Sequence, residues 1–296
     1  MRSRLNLPTF LAFLTIYIVW GSTFVSIRIA VEHVPPLFAA GVRFFTAGLI
    51  LYSYACLRGI AHPSSWEWRN IAFLSILIFV VDYSALFWAA KYVPSGVASV
   101  LAATIPLITM AFEVFVWRLQ RFQWQLLLAV LLGFCGVSVL MLPGNDHQFP
   151  ILPCLAILVG STSWAIGSVL TRSLRLPPSK VLTAGAEMLT GGAVLLTLSA
   201  CAGEMRPFPH VSLPVAMALL YLILFGSVLG FTAYMWLLGH MPAARVASYA
   251  YVNPVVAVAL GYFIAHETVT WRMVLGAALV LISVGVTLQR KPPVRT

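Results

Sequence analysis

The sequence predicts an all-α membrane protein with ten transmembrane helices, arranged as two inverted five-helix repeats (5+5) around a central cavity. Composition gives the first reason: of 296 residues, 61% are hydrophobic and only 9% charged. A soluble domain carries about 25% charged residues, and mean hydropathy here is +0.96. The second reason is the length of the uncharged windows, such as Phe122 to Asn145, Gln148 to Thr171 and Val211 to Gly239. Each reaches the roughly 20 residues that a spanning helix needs. The third is the placement of Lys and Arg, which alternates from one connection to the next.

The apolar runs lie at about 8–28, 37–57, 70–90, 95–117, 124–142, 151–171, 180–201, 213–238, 244–265 and 271–289. Punctuation separates them in order. Pro35-Pro36 lies between the first two, His62-Pro63 between the second and third, and Pro94 before the fourth. Pro143-Gly144 ends the fifth, Pro177-Pro178 parts the sixth from the seventh, and Pro207 and Pro242 precede the eighth and ninth. After Met1 to Arg4 the first run continues past Trp20 without a small-residue cleavage site, so no cleavable signal is expected. No linker is long enough for a soluble domain, which argues against an enzyme with an extramembrane catalytic domain.

Counting Lys and Arg in alternate connections gives orientation. Arg2, Arg4, Arg58, Arg69, Arg118, Arg121, Arg172, Arg175, Lys180, Arg245, Arg290, Lys291 and Arg295 fall on one side, thirteen in all. Arg28, Lys91, Arg206 and Arg272 fall on the other, and Arg43 lies inside a run. Thirteen against four puts both termini in the cytoplasm and requires an even number of spans. The net charge of +10 is therefore positional; isolated cations between apolar runs do not make a nucleic-acid surface. Cys56, Cys135, Cys154 and Cys201 lie far apart in or beside apolar runs and read as packing residues.

The chain also repeats itself. Trp20 precedes Arg28 by eight residues and Trp164 precedes Arg172 by eight, an offset of 144. The offset continues through Arg43 with Glu187 and Gly48 with Gly192. Later, Trp88 pairs with Trp236 and Pro106 with Pro254 at an offset of 148. The halves are 1–148 and 149–296, one structural unit. Five spans is an odd number, so the second half enters the membrane from the opposite side. Inverted repeats with a site near the midplane are typical of secondary transporters.

Three stretches carry a family resemblance: YIVWGSTFVSIRIAVEHVPPLFAAGVRF at 17–44, SWAIGSVLTR at 163–172 and SYAYVNPVVAVALGYFIAHE at 248–267. They resemble the EamA-type permeases of the drug/metabolite transporter superfamily, in particular the YedA-like bacterial inner-membrane exporters. The resemblance spans nearly the whole chain. It implies a ten-helix fold of two inverted repeats, a bacterial inner-membrane location and export of small metabolites, often amino acids or their analogues.

Polar residues inside the runs are the candidate site. An ionisable group in a span should face protein or a water-filled cavity. Asp82 lies roughly 18 Å into its run at 1.5 Å per residue; it reads as a proton-coupling carboxylate, an anchor for a substrate ammonium, or a partner for Arg43. Arg28 with Arg172, and Arg43 with Glu187, occupy equivalent places; they read as ion pairs that fix helix register or gate the path, with Arg172 and Glu187 able to pair across one hairpin. Glu113 is within reach of Arg118 or Arg121. Helical spacing groups Ile16, Trp20, Thr23 and Ile27 on one face, and Ser161, Trp164, Ser168 and Thr171 on another. Tyr83, Ser99, Tyr234, Tyr249 and Asn253 complete the cavity candidates. Aromatic rings there can hold an amino group by cation–π contact, and hydroxyls and the amide can orient it. Pro106 and Pro254, mid-run, read as hinges or as static kinks that shape the vestibule.

The histidines lie in loops or at run ends without ligand spacing, and no nucleophile motif or P-loop occurs. No metal or cofactor is expected, nor ATP-driven pumping by this chain alone. The expected partners are the lipid bilayer, a small-molecule substrate and, if transport is coupled, protons, with a monomer as the working unit. The alternatives are uptake or exchange of another small metabolite, or a non-transport lipid-handling, flippase-type role.

Overall fold

The computed structural model describes residues 7–116, 124, 128, 131–133, 135–136, 139, 150–207, 209–241 and 243–288; among them there is helix and no strand. The helices are α1 (Leu7–His33), α2 (Pro36–Leu57), α3 (Ser65–Ala89), α4 (Ser95–Val116), α5 (Ile151–Ser173), α6 (Lys180–Cys201), α7 (Leu213–His240), α8 (Ala243–Val246), α9 (Tyr249–Ile264) and α10 (Trp271–Leu288). Seven of these, α1 to α7, are long and apolar enough to cross a membrane, and Val252–Ile264 and Trp271–Ser283 are shorter apolar stretches. The run expected at 124–142 falls largely outside the described residues, as do Arg118, Arg121 and the Glu113 side chain.

Local chemistry starts these helices where the punctuation predicts. Pro36 and Pro214 stand in first turns, where the missing N–H has no partner to lose. Ser64 caps α3 in a capping box with Glu67, and Ser179 caps α6 through the Leu182 amide. Outward faces carry large apolar side chains such as Leu49, Ile50, Phe73, Val159, Phe225 and Phe263, all exposed, a surface suited to lipid and unsuited to water.

Two expectations change here. The run at 95–117 is not one regular helix: it breaks at Ala103–Thr104, and Pro106 stands in the first turn of the segment that restarts at Ile105. A proline there marks a new helix start; it does not kink a continuous one. The run at 244–265 is broken as well, at Ala247–Ser248, between α8 and α9. Pro254 does lie inside its helix. Pro106 marks the restart after the first break, whereas no glycine or proline stands at the second.

The central crossing is α2 against α6. A Cβ on Gly48 would stand 2.2 Å from the Leu189 amide nitrogen, and one on Gly192 would stand 2.2 Å from that of Phe45. A Cβ on Gly41 would stand 2.8 Å from the Leu196 side chain, and one on Gly185 would stand 2.6 Å from the Tyr52 amide nitrogen. Glycines 41 and 185, glycines 48 and 192, and their contacts all interconvert under the offset of 144, so this crossing carries a local two-fold. In lipid there is little hydrophobic drive between helices, and small residues that let backbones meet supply the packing energy.

Residues Ile76–Val81 and Leu222–Leu229 form widened, π-type turns ending at equivalent positions just before Asp82 and Gly230. Such turns redirect the helix face that follows and are frequent at functional sites. At the end of the bundle carrying the α1–α2 and α3–α4 connections, two glutamates from the C-terminal half hold helix starts of the N-terminal half. Glu204 accepts from the Phe38 amide at 2.9 Å, and Glu267 accepts from the Ser95 amide and hydroxyl at 2.8 Å. A carboxylate at a helix N-terminus satisfies otherwise unpaired N–H groups and complements the helix dipole.

Candidate functional site

Between the halves lies a cavity of about 50 Å³, room for a few waters and too small for an amino acid. Five helices line it. From α1 come Trp20, Thr23 and Phe24; from α3, Asp82, Tyr83 and Leu86; from α4, Ser99 and Ile105; from α5, Ile157, Ser161 and Trp164; and from α9, Tyr249 and Asn253. Eight of the ten cavity candidates read from the sequence are therefore brought together: Trp20, Thr23, Asp82, Tyr83, Ser99, Trp164, Tyr249 and Asn253.

The other two stand one layer back. The Ser168 and Tyr234 hydroxyls meet at 2.6 Å, and the Tyr234 ring packs against Trp20 at 5.0 Å and Trp164 at 5.4 Å. They brace the tryptophans. Trp20 also meets Tyr249 edge to face at 4.9 Å, and Tyr83 meets Trp164 at 6.0 Å. The aromatic rings thus form a continuous wall.

The polar groups on that wall are unevenly satisfied. Trp20 Nε1 donates to the Gly226 carbonyl at 3.0 Å. Trp164 Nε1 and Asn253 Oδ1 are buried and have no partner in hydrogen-bond geometry. Asp82 is 9% exposed, with Oδ1 packed over Gly160, where a Cβ would approach to 2.8 Å. Among the described residues the ion pair is Arg28 with Glu32, at 3.0 Å, so Asp82 is held in none.

Arg43 does not pair with Asp82. Its Nε donates to Ser227 Oγ at 2.9 Å, and its guanidinium lies over the rings of Phe44 and Tyr83 at 4.6 and 5.1 Å. Glu187, at the equivalent place on α6, is fully buried and neither carboxylate oxygen has a hydrogen-bond partner. The pair expected between Arg172 and Glu187 is not formed: Arg172 is exposed at the end of α5, whereas Glu187 is seven residues inside α6. Arg28 reaches its neighbour Glu32 and the Ala90 carbonyl, the latter at 2.6 Å, tying α1 to the α3–α4 connection.

Some residues were missed in the sequence. Phe24, Leu86, Ile105 and Ile157 are apolar walls with no chemical signal, although Phe24 follows Trp20 by four and Ile157 precedes Ser161 by four. Ser227 and the two capping glutamates had no local motif. Among the described residues no group of three His, Cys, Asp or Glu side chains is placed to hold a metal.

The pattern of the EamA-like transporter family matches residues 7–142 and, separately, 151–289. The chain belongs to the EamA-like transporter family. The chain is 40% identical to the "Uncharacterized inner membrane transporter YedA" of Escherichia coli (strain K12), over 99% of this chain and 96% of the relative. It is 27% identical to the "Probable amino-acid metabolite efflux pump" of Salmonella typhimurium (strain LT2), over 92% and 91%. A solved crystal structure shares the fold with a TM-score of 0.68 at 17% identity, covering 94% of this chain and 96% of the other. This EamA-family chain is a membrane transporter, and the cavity is a concave feature that its two halves share.

Proposed function

We propose that this transporter exports small, amino-containing metabolites, amino acids or related compounds and drugs, across the bacterial inner membrane by alternating access. In this reading ten spans form two inverted five-helix repeats, both termini are cytoplasmic, and one chain is a complete carrier. The observation that carries it is the shared cavity: matched tryptophans from the two halves, one carboxylate and an unpartnered amide oxygen face the same space. The family, the inner-membrane relative and the relative named as an amino-acid metabolite efflux pump support the same reading. So does the placement of Lys and Arg for the orientation.

At about 50 Å³ the cavity must enlarge to take a solute, so one end has to open. Both ends are tied. Glu204 and Glu267 cap α2 and α4 across the halves at one end. At the other, Asn70 Nδ2 donates to the Arg175 carbonyl at 2.8 Å, and the Tyr17 and Ser248 hydroxyls meet at 2.7 Å. Releasing one set while keeping the other gives access from one side only. Solute enters the cytoplasmic opening, Asp82 takes its positive group, and the exchange of sets exposes it to the outer side. Transport runs downhill, or is driven by a proton exchanged at Asp82.

Counterflow in proteoliposomes loaded with amino acids, their analogues and common metabolites, read by mass spectrometry with and without a proton ionophore, tests this. Selective exchange of one class establishes the carrier; no exchange by folded protein refutes it. One observation favours a lipid-handling reading: a cleft of about 710 Å³ lined by Trp88, Lys91, Val159 and Glu204, among others, with Val159 facing outward. Scrambling of a labelled phospholipid in the same vesicles is its test.

A further inference from the structure

We infer that the solute held in the central cavity is a cation without a free carboxylate: a primary or secondary ammonium, or a guanidinium. This rests on the transporter reading above and narrows it. Among the residues lining the cavity there is one acid, Asp82, and no Lys, Arg or His. A zwitterionic amino acid brings both charges into a largely apolar space. Its ammonium would have a charged partner; its carboxylate would have only neutral donors and would also face Asp82. An unpaired charge in such a place is strongly disfavoured.

The nearest cations do not line the cavity. Arg43 is 1% exposed, with Nε on Ser227 and the guanidinium over the Phe44 and Tyr83 rings; its Nη1 has no hydrogen-bond partner. Arg28 is spent on Glu32 and the Ala90 carbonyl. The acceptors there point the same way. Asn253 is 4% exposed and its Oδ1 lacks a donor, and Asp82 is a pure acceptor when ionised. Both ask for N–H. The faces of Trp20, Tyr83, Trp164 and Tyr249 surround the position between them, and aromatic faces attract a cation that has shed its water. Because Asn253 needs a donor, N–H-bearing cations fit better than fully alkylated ones. The donors on the wall, the Trp164 indole and the Tyr83, Tyr249 and Ser161 hydroxyls, are neutral and suit a carbonyl or hydroxyl on the same solute.

The test is counterflow with butylguanidine, which stays charged and does not leak, against 4-guanidinobutyrate, which differs by a carboxylate. The expected result is exchange of butylguanidine at least tenfold faster than of 4-guanidinobutyrate. Asp82→Asn is expected to lower butylguanidine exchange at least tenfold, and Asn253→Leu, an independent variant, to lower it as well, with the melting temperature monitored for both. Equal or faster exchange of 4-guanidinobutyrate, or exchange of zwitterionic amino acids in the broad screen without butylguanidine, overturns the cation inference and leaves the carrier standing. No exchange of any solute by folded protein overturns both.

Discussion

The indoles of Trp20 and Trp164, 144 residues apart, meet edge to face with ring centroids at 5.6 Å and planes at 84°. They occupy the same place in the two sequence halves, yet their N–H groups are used differently. Trp20 donates to the Gly226 carbonyl, while the Trp164 N–H has no acceptor in hydrogen-bond geometry. Trp20 therefore reads as a fixed element between α1 and α7, and Trp164 as the one whose N–H is left without an acceptor.

Substitution by phenylalanine separates the two. Trp20→Phe removes a made hydrogen bond and leaves the Gly226 carbonyl unpaired, a loss of about 1 kcal/mol. Trp164→Phe removes none and costs only packing. Thermal unfolding in detergent should show the larger drop in melting temperature for Trp20→Phe, and counterflow should show a loss of solute affinity for Trp164→Phe.

The α2–α6 crossing tolerates no side chain at its centre. Gly48→Ala or Gly192→Ala would put a carbon 2.2 Å from backbone nitrogen, and the helices must separate to admit it. Both variants should lose folded yield in size-exclusion chromatography, and they should do so to similar degrees because the contacts are related by the offset of 144. Gly239→Ala is the control: its Cβ would meet only the flexible end of Lys180, at 3.1 Å.

The two cross-half caps tie the starts of α2 and α4 to the C-terminal half at one end. Glu267→Ala removes an acceptor from the Ser95 amide and hydroxyl, and Glu204→Ala one from the Phe38 amide, each a cap worth about 1 kcal/mol. In a background where Cys56, Cys135, Cys154 and Cys201 are serine, Ser99→Cys reports access to the cavity. Either alanine variant should speed its labelling, several-fold, by an impermeant maleimide added outside. Unchanged labelling would show that the caps do not govern that end.

Much of this arrangement was readable before the coordinates. The helices α1 to α3 and α5 to α7 follow the apolar runs because a span must be apolar along its whole length, and prolines mark their starts. Trp20 and Trp164 could be found because they occupy matched places in the repeat, Thr23 because it shares a helix face with Trp20, and Asp82 because it is a carboxylate deep in an apolar run. The break at Ala247–Ser248 was hidden, since alanine and serine are at home in a helix and only tertiary packing interrupts it; Pro106, after Ala103–Thr104, reads equally as a kink in a continuous helix. The widened turns before Asp82 and Gly230 left no trace, because they shift hydrogen-bond register without a special residue. The Arg172–Glu187 pair was misjudged because closeness along a hairpin says nothing about depth: one side chain ends up exposed, the other seven residues down a helix. Apolar walls such as Ile157 and Leu86 look like any other residue of an apolar run.

If Asp82 also carries a coupled proton, the exchange and efflux left in Asp82→Asn are insensitive to pH; if it only anchors the solute's positive group, the residual activity keeps the wild-type pH dependence. Running both assays on one preparation assigns the role.

The central claim is that the cavity between the halves is where solute binds and moves. The most direct test is counterflow by wild-type protein and by Asp82→Asn, Asn253→Leu and Trp164→Phe, with Glu32→Gln, outside the cavity, as the control. The account predicts that exchange falls in the three cavity variants and persists in the control, with all proteins folded. Exchange that is unaltered in all three cavity variants would contradict it and place the path elsewhere in the bundle.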